Sequence, residues 1–508
     1  NMYFINRLLN KSNVVFTSSC KEKGHSRTLI LMVFSAAIGG TLQYGYNIAI
    51  INAPTVYIQR FINETCLERW GVALSFYQVT LIWTLVVSAF SLGGLAGALM
   101  GGPMAVFFGR KQALLLNNVF LIASTVLVLT CQVAGSFEMI VLSRFLVGVN
   151  SGVSMNVQPM YFGESAPKKL RGLVALSSAV FTALGILLGQ VVGLTDVLGS
   201  EPHWPYLLAS NAIPGLVQLL ALPWFPESPR YLLIDRDDPE ACARALRRLR
   251  GRAVPGAEME EMLQEREQVA AGRGTRARRP WELFSDRALR WQLLSIVVTS
   301  SAMQLCGNDS IYFYAYYVFQ EAGISASQIQ YVTIGTGACE LLSSLTCSLL
   351  IERLGRRWLL VGGYALMATW ALVFTLALSL QGTMPGMPYL SMACVFAYIL
   401  SFGMGPAGVS VILPAEVFGQ TARPAAYMIA GSLMWLNLFL VGMAFPFVVG
   451  GLGSFCFLPF CAVCLLASFF VGAVLPETKG KSLQEITSDF DQLNSRAQGG
   501  REPVSMQA

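Results

Sequence analysis

Residues Val79–Lys111, VTLIWTLVVSAFSLGGLAGALMGGPMAVFFGRK, run uncharged from Val79 to Pro103 and close on Gly109-Arg110-Lys111. An apolar run longer than the roughly 20 residues that cross a bilayer as a helix reads as a membrane span. Its ending recurs as Gly355-Arg356-Arg357, about 250 residues later. At nearly the same offset, Glu164 with Arg171 recurs as Glu416 with Arg423, and Pro226-Glu227 recurs as Pro476-Glu477. Three pairs at one spacing indicate a parallel duplication, which is how many transporters are built around a path between two bundles.

Working outward, apolar runs of similar length lie near 29–50, 79–103, 113–132, 139–160, 173–195, 205–225, 291–316, 328–351, 358–380, 388–413, 427–448 and 454–475. The composition agrees. Of the 508 residues 54% are hydrophobic and 13% charged, about half the charge of a soluble domain, and the mean hydropathy is +0.55. These proportions exclude a disordered chain and leave too little polar surface for a water-soluble globule. The expected fold is therefore an all-α membrane protein with twelve transmembrane helices in two six-helix bundles. Its expected parts are an N-terminal tail over 1–28, a bundle over 29–225, a helical linker over 226–290, a second bundle over 291–475 and a C-terminal tail over 476–508.

Charge orients this arrangement. With the amino terminus in the cytosol, all of the 35 Lys and Arg except Arg60, Arg69 and Arg144 fall on the cytosolic side, as the positive-inside bias requires. The same bias accounts for the net charge of +6 without a nucleic-acid partner. The first outer loop carries Asn63-Glu64-Thr65, a glycosylation sequon on the side where glycans are added. Asn10-Lys11-Ser12 and Asn308-Asp309-Ser310 share the pattern, but they fall in the cytosolic tail and within a span.

The 11 cysteines and 2 histidines offer no disulfide framework, metal set or cofactor site. Cys306, Cys339, Cys347, Cys394, Cys461 and Cys464 lie inside apolar runs, and only Cys66 sits in a long polar loop. His25 and His203 have no ligand-spaced neighbours. No nucleophile stands with a base, and no phosphate-cradling loop is present, so an enzyme is not expected.

Each half places an Arg beside a Gly in a tight cytosolic turn, and a Glu seven residues before a second Arg. Arg110, Glu164, Arg171, Arg356, Glu416 and Arg423 are thus candidates for salt bridges between helices that close the cytosolic side and break as the bundles rock. The competing reading is charge bias at helix ends. Span seven carries Gln304, Asn308 and Asp309 among apolar residues, followed by Tyr312, Tyr314, Tyr316 and Tyr317. Polar groups at that depth require a partner or a wet cavity. Gln304 and Asn308, four apart, would share a helix face. Amides that donate and accept, beside aromatic rings, suit a neutral polyhydroxyl ligand, whereas the structural alternative is glue between helices.

Gly45-Tyr46-Asn47, Gly109-Arg110-Lys111, Pro159–Glu164, Arg171-Gly172, Pro226-Glu227-Ser228-Pro229-Arg230, Glu352–Arg357 and Pro476–Gly480 resemble the signature set of the sugar porters in the major facilitator superfamily. The resemblance covers roughly 29–485 and extends to the class II facilitative hexose transporters, the branch that includes fructose carriers. It implies an alternating-access uniporter, multi-pass in the plasma membrane with both termini cytosolic. It also implies a hexose, fructose or glucose, bound midway between the bundles, and no cofactor. Gln304 matches the second glutamine of the family's span-seven motif, and Trp435 its span-eleven tryptophan. Departures are Met303 for a glutamine, Asp309 for an asparagine, Ala179 for a glutamine, Glu340 for an asparagine, Gly403 for a glutamate and Val411 for a tryptophan. The expected binding set is Gln304, Asn308, Asp309, Glu340 and Trp435.

Two other readings follow from the same residues. Asp309 and Glu340 are intramembrane acids able to carry a proton, which suits a symporter. Against this, Asn47 stands where the family's proton-coupled members carry an aspartate, and an amide does not titrate. A sugar sensor that moves nothing is the third reading, although the linker resembles no signalling domain.

Overall fold

The computed structural model describes residues 27–167, 171–250, 256–270, 280–419, 422–481 and 483–498. Most of the N-terminal tail, parts of the linker and the last ten residues lie outside these. Among the described residues all regular structure is helical, and nine helices are long and apolar enough to cross a membrane. They are spans one (Arg27–Ala49), two (Phe76–Phe108), three (Arg110–Thr130), four (Glu138–Ser165), six (Trp204–Trp224), eight (Ala326–Ile351), nine (Arg356–Ser379), ten (Met387–Pro414) and eleven (Ala425–Phe455). Shorter apolar helices, Ser177–Val192 and Leu458–Val474, supply spans five and twelve. Span seven is broken into Arg290–Leu305, Asn308–Phe313 and Ala315–Glu321. That completes twelve crossings.

The outside of this molecule is apolar. Phe469 is 78% exposed, Phe107 73% and Trp358 69%, a surface that is stable only against lipid tails. In lipid, apolar burial does not drive helices together, so close backbone approach takes over. Spans two and four show how. A Cβ on Gly93 would stand 2.0 Å from the Phe145 carbonyl oxygen, and one on Gly148 2.0 Å from that of Phe90. Between the halves, span two lies against eleven, five against eight, and one against seven.

The helix ends follow from local chemistry. Ser75 and Gln78 form a reciprocal capping box that opens span two. Gly109 and Gly355 close spans two and eight with φ of 100° and 90°, a conformation glycine adopts without a Cβ penalty. The first polar loop is itself a helix, Thr55–Trp70, with Cys66 buried within it. The linker helices Pro239–Arg250 and Gly256–Ala270 share a small core of Leu233, Cys242, Leu246 and Met262. Burial there pushes the Cys242 thiol up to about 11, which leaves it protonated and unreactive at neutral pH.

Candidate functional site

The duplication persists at atomic scale at the basic end of the molecule. Arg110 donates from Nε and Nη2 to Glu164 Oε1, at 3.2 and 2.9 Å, and Arg356 does the same to Glu416 Oε1 at 3.0 and 2.9 Å. The other carboxylate oxygen accepts from a hydroxyl, Ser228 in the first half and Thr478 in the second, at 2.5 Å. Glu227 accepts the backbone N–H of Lys111 at 2.9 Å. Glu477 accepts those of Arg356 and Arg357 at 2.8 and 3.1 Å. The repeated glycines are needed here as well, because a Cβ on Gly109 or Gly355 would meet these same carboxylates at 2.7 or 2.6 Å.

Two expectations about these residues change. The ion pairs lie inside each half, tying span three to four and span nine to ten, so they do not themselves clamp one bundle to the other. Arg423, expected to pair with an acid, donates to the Phe418 carbonyl at 3.3 Å, and its Nε is buried without a partner. The physical reason is that both oxygens of Glu416 are already taken, by Arg356 and Thr478. The Arg171 side chain lies outside the described residues. Sequence reading missed Asp235, which gives Arg110 a second carboxylate at 2.7 Å; no motif marks it.

Span seven also departs from expectation. Gly307, at φ 81°, interrupts the helix between Gln304 and Asn308, so the two do not share a continuous helical face. The break nonetheless brings both amides to one carboxylate. Asn308 Nδ2 donates to Asp309 Oδ1 at 3.4 Å, and the Gln304 amide is also directed at Asp309. Gln304 Oε1 and Asn308 Oδ1 are buried without partners. Glu340, 8% exposed, accepts from the Tyr312 hydroxyl at 2.8 Å. Gly403 could not have kept a long acid, since a Cβ there would lie 1.9 Å from Ser343 Oγ, one turn along span eight from Glu340. Ala179 is exposed, as is Val411 at 54%.

Trp435 belongs to the same locality but is spent on the opposite half. It is 2% exposed and meets Tyr44 edge-on at 5.6 Å and Phe90 at 5.8 Å. A Cβ on Gly94 would stand 2.2 Å from its ring. Tyr44 is therefore a first-half residue that a second-half ring reaches across the seam. The aromatic and amide run Gln43–Asn47 inside an apolar span was the available signal. Asn47 accepts at its side-chain oxygen from Asn211 at 3.2 Å and at its backbone oxygen from the buried Arg144 at 3.0 Å.

The end opposite the basic clusters joins the two halves. Gln190 of span five donates to Thr336 of span eight at 2.9 Å and accepts from Gly337 N at 3.1 Å. Asn52 accepts from Tyr316 N at 3.0 Å, and Gln59 donates to the Tyr317 hydroxyl at 2.6 Å. Tyr314 donates to the Gly442 carbonyl at 2.6 Å. Tyr316 and Tyr317 thus help close this end and Tyr312 holds Glu340, whereas the Tyr314 bond lies within the second half. Asn63 lies in the helix Thr55–Trp70 and accepts from Leu74 N at 3.0 Å.

A duplicated twelve-helix chain with polar groups gathered at the break of span seven invites comparison with known proteins. The family model described as Sugar (and other) transporter matches residues 32–490. The chain belongs to this sugar transporter family. It is similar to the human solute carrier family 2, facilitated glucose transporter member 11, with 57% identity over 475 residues, covering 93% of this chain and 95% of that one. It is also similar to human facilitated glucose transporter member 5, with 43% identity and 94% of each chain covered. Members of the family are integral membrane proteins, and these relatives are named as transporters. Among solved structures, a proton:xylose symporter, XylE, bound to 6-bromo-6-deoxy-D-glucose aligns with a TM-score of 0.74 at 24% identity, over 91% of this chain and 98% of that one. The inward-open xylose transporter XylE from E. coli aligns with a TM-score of 0.73 at 22% identity, over 92% and 99%. These show the major facilitator fold.

Proposed function

We propose that this chain carries hexoses, fructose and/or glucose, by facilitated alternating-access uniport across the plasma membrane, with both termini in the cytosol. The observation that carries the reading is the cluster of Gln304, Asn308 and Asp309 at the broken middle of span seven with Glu340 of span eight, in the half whose Trp435 meets Tyr44 across the seam. Unpartnered amide oxygens there suit a ligand rich in hydroxyl donors, and aromatic rings suit the apolar faces of a sugar. The likeness to named glucose transporters supports the substrate class.

With the basic end in the cytosol, the hydrogen-bonded end is extracellular and is held closed in the described state. Arg110, Glu164, Arg171, Arg356, Glu416 and Arg423 then act as the cytosolic gate by keeping the ends of each half rigid as the halves rock about the site. Residues 29–225 and 291–475 move as the two bundles, and 226–290 links them. Asn63 carries a glycan on the outer side. Uniport rather than symport is favoured by Asn47, whose amide is held by Asn211 and which offers no proton site beside Arg144.

Proton-coupled symport is the second reading, favoured only by Asp309 and Glu340. Uptake of labelled fructose and glucose into proteoliposomes, with and without a pH gradient, separates the two. Equilibration without accumulation supports uniport, and accumulation driven by an inward proton gradient refutes it.

A further inference from the structure

The basic end of the second half encloses a cavity whose charges do not balance. About 330 Å³ in volume, it is lined by Arg356, Glu416, Arg423, Thr478 and Lys481, and by Ile486 of the C-terminal helix Leu483–Gln498. Three cations stand against one acid, and that acid is already used. Glu416 accepts from Arg356 at 2.9 Å on one oxygen and from Thr478 at 2.5 Å on the other. Neighbouring Glu477 is taken by the backbone N–H groups of Arg356, Arg357 and Lys479. Arg423 is left over. Its side chain makes one hydrogen bond, to the Phe418 carbonyl at 3.3 Å, and its Nε is buried without a partner. Among the described residues no carboxylate lies at ion-pair distance from it.

A guanidinium N–H withdrawn from water without a partner is costly, and here the acids of the described chain are committed elsewhere. Lys481 adds a second available cation. It pairs with Asp489 at 2.7 Å, but at 39% and 33% exposure that bond is worth little, and the ammonium keeps further N–H donors. Gly480, at φ 70°, also lines the cavity, and a Cβ on it would meet nothing within 4 Å, so the backbone borders open space. A volume near the roughly 300 Å³ lower bound of ligand pockets suits a small ligand. A phosphate monoester brings three acceptor oxygens and close to two negative charges at neutral pH. Those match one arginine fork and one lysine point charge, where a carboxylate would leave one cation unmet.

We propose that this cavity is a binding site for a phosphate monoester or inorganic phosphate, held by Arg423 and Lys481 at the basic end of the second half. The bound anion braces the helix of span eleven, which begins at Arg423, against the segment that leads into the C-terminal helix. Span eleven lies against span two of the other half, so an anion that stiffens its first turn acts on an element of the seam. The site is separate from the polar groups of span seven and does not depend on which sugar the chain carries.

The test follows the melting temperature of the purified full chain in detergent at neutral pH as inorganic phosphate replaces chloride at constant ionic strength. A saturable rise is expected. Arg423→Gln should raise the midpoint concentration at least about ten-fold, the factor that 1.4 kcal/mol represents. Lys481→Gln should raise it several-fold, and Lys481→Arg, which keeps the charge, should restore it. A rise no larger than chloride gives overturns the proposal, as does a saturable rise whose midpoint is the same in the unaltered protein and in both glutamine variants. If Arg423→Gln does not fold, the two substitutions of the exposed Lys481 decide. Repeating the titration with glucose 6-phosphate and with dioctanoyl phosphatidylinositol 4-phosphate separates the sources of the phosphate. A lower midpoint for the first assigns the site to a soluble ester, and a lower midpoint for the second to a lipid headgroup. None of these readings requires transport, so their failure leaves the hexose-carrier reading standing, and failure of hexose uptake leaves this site standing.

Discussion

Gln190→Ala should shift the resting balance of the carrier toward the outward-open state. Gln190 is 7% exposed and makes two hydrogen bonds across the seam, to Thr336 at 2.9 Å and from Gly337 at 3.1 Å. Both must break when span five parts from span eight, so they stabilise only the state in which the outer end is closed. At about 0.5–1.5 kcal/mol for each bond, their loss amounts to about 1–3 kcal/mol, and the cavity left by the shorter side chain adds in the same direction. A difference of that size changes the ratio of the two states roughly 5- to 150-fold. The measurement is a distance distribution between spin labels at Asp196 and Ser327, both exposed and on opposite halves at the outer end. The described native cysteines are buried or half-buried and contribute little background. The long-distance population should grow in the variant. An unchanged distribution in properly folded protein, or a shift toward the short distance, would refute the role given to this contact.

At the basic end, Glu164→Gln should lower thermal stability more than Asp235→Asn. Glu164 holds Arg110 through two charge-assisted bonds with its side chain 18% exposed, whereas Asp235 makes one at 33% exposure. Losses of about 2 kcal/mol and under about 1 kcal/mol follow, and equal shifts in melting temperature in detergent would contradict the ranking. Gln304→Ala and Asn308→Ala should each raise the half-saturation concentration for hexose several-fold, by removing a contact worth about 0.5–1.5 kcal/mol. Wild-type kinetics at wild-type surface level would move the site elsewhere. Hexose uptake should equilibrate without accumulating whatever the imposed pH gradient, because Asn47 supplies no proton site in span one. Asn63→Gln should remove the glycosidase-sensitive mobility shift of protein made in cells that attach N-glycans; a shift that persists would place the glycan on another residue.

Composition and periodicity alone determined the architecture. Runs such as Val79–Pro103 have one physical solution in a bilayer, a helix that satisfies its own backbone. The offset of about 250 residues between the Gly109 and Gly355 motifs declares the duplication in the sequence itself. The pairings of Arg110 with Glu164 and Arg356 with Glu416 were legible because each half repeats the same residue types at the same helix ends. Positions that depend on where chain segments cross in space were not legible. Asp235 reaches Arg110 from the linker, Tyr44 meets Trp435 from the other half, and Gln190 finds Thr336 across the seam, and no local pattern encodes those approaches. The helix break at Gly307 was equally hidden, since glycine is frequent in membrane helices as a packing residue. Only the folded chain shows that this one adopts φ 81° and turns two amides, expected on one helical face, toward a single carboxylate. The tertiary structure likewise decided what the repeated acids do. A carboxylate has two oxygens, and in each repeat one is taken by an arginine of the bundle and the other by a hydroxyl just after its last span, so the sequence names the members of the clusters and three-dimensional packing settles which of them meet.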